Sequence, residues 1–110
     1  MPRNDTLEMG ELTDTAFYIL LSVVVPKHGY LIMQEIESMT GGRLTVGPAS
    51  LYTTIKKLLA AGFIRLEEDG DEKRKTYGAT AEGIALLHSE TERRREMVRH
   101  AEQLLKGEGR

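Results

Sequence analysis

The chain has 110 residues, 40% hydrophobic and 29% charged, with a formal net charge of −2 and no cysteine. That size fits one domain with a modest core, and the composition is that of a folded protein rather than a disordered one. The lack of thiols excludes disulfides, thiolate metal sites and thiol catalysis, and suits a reducing compartment, so a cytoplasmic location is expected.

Residues 1–11 carry no periodic pattern and are expected to form a flexible N-terminal arm. Thr13 is placed as the N-cap of a helix over 14–25, which Pro26 ends. The apolar run 16–25, broken only by Ser22, is too short for the ~20 residues a membrane span needs. Acidic Asp5, Glu8, Glu11 and Asp14 precede it, unlike the positive leader of a signal peptide, so it reads as a buried helix. Lys27-His28-Gly29 reads as a turn, and a second helix follows to residue 39 with Ile32, Ile36 and Met39 as its buried stripe. Gly41-Gly42 stops that helix, and Arg43-Leu44-Thr45-Val46 reads as a short strand.

Pro48 opens a third helix, where its missing N–H costs nothing. Leu51, Ile55, Leu58 and Leu59 form its apolar stripe and Gly62 closes it. Residues 63–66 and 75–77 read as two strands joined by an exposed acidic tip over 67–72. Thr80 caps a last helix reaching residue 106, with Glu82 favourable to its dipole and Gly83 where a capping box would place Glu or Gln. The predicted fold class is therefore mainly α with a small β-hairpin. The element order is that of a winged helix-turn-helix over residues 12–79, followed by a long C-terminal helix over 80–106.

Charge is segregated along the chain. Residues 1–40 hold two basic and six acidic side chains, a net −4. Residues 41–66 contain no acid, and Arg43, Lys56, Lys57 and Arg65 give +4. Five acids within 67–72 are followed at once by Lys73, Arg74 and Lys75. Charges beyond ~8 Å are largely screened at physiological salt, so the local patch matters more than the net value. On the third helix the face opposite the apolar stripe carries Ala49, Ser50, Thr53, Lys56, Lys57 and Ala60, with Tyr52 on its flank. Small residues allow close approach to a major groove, hydroxyls bond phosphates or base edges, and lysines neutralise the backbone. A solvated helix face with two lysines is the bland alternative; the neighbouring basic hairpin favours a nucleic-acid surface.

The last helix has Ile84, Leu87, Thr91, Arg94, Val98, Ala101 and Leu105 in a rough heptad. A helix of ~39 Å would outrun so small a globule, so a second copy is expected to cover this stripe, with Phe17 of the first helix beside it. A frayed tail after His88 is the alternative, since residues 92–96 are all charged.

Four segments together resemble the PadR-type transcriptional regulators. They are Leu12-Thr13 with Phe17-Tyr18-Ile19-Leu20-Leu21; His28-Gly29-Tyr30; Gly47-Pro48-Ala49-Ser50-Leu51-Tyr52 with Leu58 and Gly62-Phe63-Ile64; and Arg74-Lys75-Thr76-Tyr77 leading to Thr80-Ala81-Glu82-Gly83. The resemblance spans roughly residues 12–90. It implies a homodimeric regulator that binds a palindromic double-stranded DNA operator, often a repressor released by a small-molecule effector. It places Pro48, Ala49, Ser50, Tyr52, Thr53, Lys56 and Lys57, with Lys73, Arg74 and Lys75 of the wing, at the DNA, and Tyr30 at the start of the second helix, in packing or in contact with a phosphate. Thr76 and Ala79 stand where the family has an aromatic residue and a leucine, and the chain lacks the tryptophan that lines the pocket of drug-sensing members.

No nucleophile elbow, phosphate-binding glycine loop or metal-ligand spacing occurs, so neither an enzyme nor a cofactor is expected. His28, His88 and His100 are isolated. The competing reading is a winged helix that docks on a protein partner without binding an operator, which the net −2 and the acidic tip would suit.

Overall fold

The computed structural model describes residues 11–68 and 75–108. In chain order these form α1 (Asp14–Ser22), β1 (Lys27–His28), α2 (Gly29–Met39), α3 (Pro48–Ala61), β2 (Ile64–Glu68), β3 (Thr76–Ala79) and α4 (Ala81–Glu108). The mainly helical winged helix with a long last helix is what the sequence predicts. Residues 1–10 of the expected arm, and most of the acidic tip, lie outside the described residues.

α1 starts where expected: the Thr13 hydroxyl accepts the Ala16 N–H at 3.1 Å. It stops three residues short of the predicted end. Pro26 disfavours helical backbone at Val25, and the chain tightens, with the N–H groups of Val23 and Val24 donating to the carbonyls three residues back. Lys27 Nζ donates to the carbonyls of Ser22 and Val25, and the Ala79 N–H donates to the Val23 carbonyl at 2.9 Å. The end of α1 is thereby tied to β3.

Lys27-His28 corrects the sequence reading: it is a strand, not a turn. It pairs with Tyr77 and Thr76 and makes the sheet three-stranded, in the order β1-β3-β2, all antiparallel. In the second pair Ile64 faces Ala79 and Leu66 faces Tyr77, with an irregularity between Leu66 and Glu68. Residues 43–46 do not form the predicted strand. Leu44 and Val46 point inward as an alternating strand would, but β1 occupies the edge of β3. The Thr40 hydroxyl instead accepts the Leu44 N–H at 3.1 Å.

The core is one cluster. Ile19 and Leu20 of α1 and Val23 just past its end meet Ile32 and Ile36 of α2, Leu51, Ile55 and Leu58 of α3, Ile64, Tyr77 and Ala79 of the sheet, and Leu86 and Leu87 of α4. Two expected stripe members lie at its rim. Met39 shares the direction of Ile32 but sits at the helix end, past the core; Leu59 is turned ~80° from Leu51. Both are exposed.

Two attachments hold α4 to the domain. At its base the Thr80 hydroxyl donates to the Gly62 carbonyl at 2.7 Å and accepts the Gly83 N–H at 3.0 Å. Gly83 lies so close to Phe63 that a methyl there would overlap the Phe63 carbonyl oxygen, which is why no capping-box side chain stands at this position. Three turns on, Glu90 is only 2% exposed. Its Oε1 accepts the Leu12 N–H at 2.7 Å and Arg94 Nη1 at 3.0 Å, while Oε2 accepts Arg93 Nε at 2.8 Å. Arg94 also donates to the Leu12 carbonyl at 3.1 Å and to Asp14 at 3.0 Å, and lies 4.5 Å from the Phe17 ring centroid. The hydrogen bond from Arg93, with those from Leu12 and Arg94, holds the Glu90 carboxyl at about 2, below its ordinary 4.5, although burial opposes this.

Two stability outcomes follow. Gly83→Ala should destabilise by about 1–3 kcal/mol despite the gain in helix propensity, whereas Gly107→Ala, with open space around it, should be neutral or slightly stabilising. Urea melts of both variants check this contrast. Because the Glu90 carboxyl is depressed on folding, its contribution is complete above pH ~4.5 and fades as pH falls toward 2. Glu90→Gln should therefore cost about 3 kcal/mol at pH 7, with the gap to the parent closing on acidification. A gap that stays constant with pH would place the carboxylate outside this ion pair.

Candidate nucleic-acid interface

α3 begins on Gly47, in extended backbone with φ −82° and ψ 167°, and Pro48 holds its first turn. Gly62 ends it in the left-handed region at φ 83°, which a side chain would resist. Between these limits Leu51, Ile55 and Leu58 bury one face completely or nearly so. The other face is open: Pro48, Ala49, Ser50, Thr53, Lys56, Lys57 and Ala60 are all exposed, and Tyr52 is 45% exposed. Among the described residues no ion pair engages Lys56 or Lys57. Their charge is available to an incoming anion.

Tyr52 explains a residue that the sequence reading left as turn chemistry. Its hydroxyl rests on Gly29, the first residue of α2, where any Cβ would collide with the phenol. Spacing along one helix could not reveal this seat, because the contact joins two elements. Tyr30, next in the chain, is 61% exposed and its hydroxyl accepts a hydrogen bond from Gln34 Nε2 at 3.3 Å. Both tyrosines thus stand where the start of α2 meets α3, with rings accessible to solvent.

The hairpin is partly visible. Lys75 is half-buried just ahead of β3, while Lys73 and Arg74 lie outside the described residues. Arg65, counted in the acid-free stretch, is not a free cation: it pairs with Glu67 and donates to the Ala79 carbonyl at 3.1 Å. Arg43 is exposed in the loop that leads to α3.

The residues expected on the dimer stripe divide into two groups. Leu87 is buried in the protomer's own core, and Phe17 and Arg94 are engaged with each other within the chain. The remainder face solvent: Ile84 and Thr91, then Val98, Ala101 and Leu105, joined by Met97 and Leu104. Leu104 and Leu105 are the barest, at 76% and 64% exposed. No group of three or more metal-ligating side chains occurs among the described residues, and no described helix is long and apolar enough to cross a membrane.

Solved structures of similar fold include transcriptional regulators. A transcriptional regulator from Clostridium thermocellum is 23% identical with a TM-score of 0.69, covering 94% of this chain and 97% of its own. A PadR family transcriptional regulator from Eggerthella lenta gives 22% and 0.68 over 83% of this chain and 77% of its own. RosR of H. salinarum gives 21% and 0.66 over 89% and 94%. These likenesses establish the fold. No curated protein sequence matches the chain. The model of the transcriptional regulator PadR-like family matches residues 19–89, well over half of the sequence and every element from α1 into α4, and the chain belongs to that family.

Proposed function

We propose that this transcriptional regulator is a repressor that acts as a homodimer on a palindromic operator, with the open face of α3 in the major groove. The observation that carries this reading is the unobstructed surface of Ser50, Thr53, Lys56 and Lys57 opposite a fully buried seam. Tyr30 and Tyr52 flank that surface, and Lys73, Arg74 and Lys75 of the wing reach adjacent phosphates. Two copies joined along the bare stripe of α4 set two recognition helices about one DNA turn, ~34 Å, apart. Release by a small-molecule effector rests on the family likeness, and a thermal shift against a metabolite panel reads it.

Mobility shifts on duplexes enriched from genomic fragments test the DNA surface. Affinity should fall steeply as salt rises. Lys56→Ala with Lys57→Ala, which removes four lysines from the dimer, should weaken binding by ~10-fold or more and lower the slope of log K against log salt by about 3.5. Binding unchanged by this pair would exclude the assigned face. A stable protein partner with no DNA shift would support the docking-module reading instead.

Val98→Asp with Leu105→Asp should convert the dimer to a monomer in sedimentation equilibrium, with little change in helix content. A chain that remains dimeric would move the interface elsewhere.

A further inference from the structure

α4 is attached to the domain at two places only a few turns apart, and those places differ in kind. The base, at Thr80 and Gly83, is bonded to Gly62 and Phe63, the residues that leave α3. That joint moves with the recognition helix. The second hold is the buried Glu90 with Arg94, which together grip Leu12 and Asp14 at the head of α1. The two lie ten residues apart, or ~15 Å along the axis. A base fixes a pivot; only a second point fixes a direction.

Past Arg94 the described side chains of α4 are all exposed, and the helix continues to Glu108. These 14 residues project ~21 Å. The molecule is accordingly elongated, 57 Å by 29 Å by 28 Å. A rotation of ~5° about the base would carry the far end of the helix, ~37 Å beyond Gly83, through ~3.3 Å, close to the rise of one base pair.

We infer that Glu90 is a positioning residue: its grip on the segment before α1 sets the angle between α4 and α3, and with it the half-site spacing that the paired chains accept. The inference rests on the reading above, in which two copies pair through α4 and present α3 to duplex DNA. It concerns the regulation of that surface by a residue that does not touch DNA. Packing at Leu86 and Leu87 is non-directional, whereas a carboxylate that accepts four directional hydrogen bonds, from Leu12, Arg93 and Arg94, has one seat.

The test uses the full chain and the duplex that the parent protein enriches from a random-sequence library, together with copies lengthened or shortened by one base pair at the centre. The parent should lose ~10-fold or more on either altered duplex. Glu90→Gln, measured well below its melting transition and shown to be dimeric, should either differ by less than ~3-fold across the three duplexes or prefer an altered one. Arg94→Lys keeps the charge but loses the grip on Leu12, and should broaden the preference likewise. A uniform loss of affinity with an unchanged spacing profile in both variants would mark a merely structural role and overturn the inference alone. A parent chain that enriches no duplex would instead remove the DNA reading, and this inference with it.

Discussion

The whole arrangement depends on the one-sided burial of α3. Leu51, Ile55 and Leu58 take their places in the core without remainder, so the helix cannot roll to hide its polar side. Burying three such side chains stabilises by several kcal/mol, at ~1.5–3 kcal/mol each. Rotating the helix by even one residue's angle would expose one of them. The face bearing Thr53 and Lys57 is therefore open as a consequence of packing, not of local polarity.

The same logic explains the sheet. A hairpin alone is marginal in water, but β3 is flanked on both sides, by β1 and by β2, and its last residue bonds back to α1. Ile64, Tyr77 and Ala79 turn one side of the hairpin into the core. The base of the wing is thus rigid where it meets α3 and α4. Arg65 is held there by Glu67 and the Ala79 carbonyl.

Most of this was legible in the sequence wherever the signal is local. The spacing of Leu51, Ile55 and Leu58, the cap at Thr13, Pro48 at the start of α3 and Gly62 at its end all act within one turn of helix. What stayed hidden depends on contacts between distant segments. Two residues, Lys27 and His28, become a strand only because β3 offers an edge, with partners Tyr77 and Thr76 far along the chain. Residues 43–46 have the alternation of a strand but pair with none of the described strands. Leu87 fits a heptad as well as a core, and only the fold assigns it to the core. Glu90 lies at the edge of a densely charged run that periodicity treats as solvent-facing, yet it is among the most buried side chains in the chain. Its partner at Leu12 is 78 residues away.

Tyr52 seated on Gly29 has an entropic side. A tyrosine that must be frozen upon reaching a ligand loses rotamer freedom at that moment, and the complex is weaker for it. Here the ring is already stationed against a helix start that no side chain obstructs, with nearly half its surface still bare. The ordering is done during folding, so on the proposed DNA surface the ring is a rigid template rather than a searching arm.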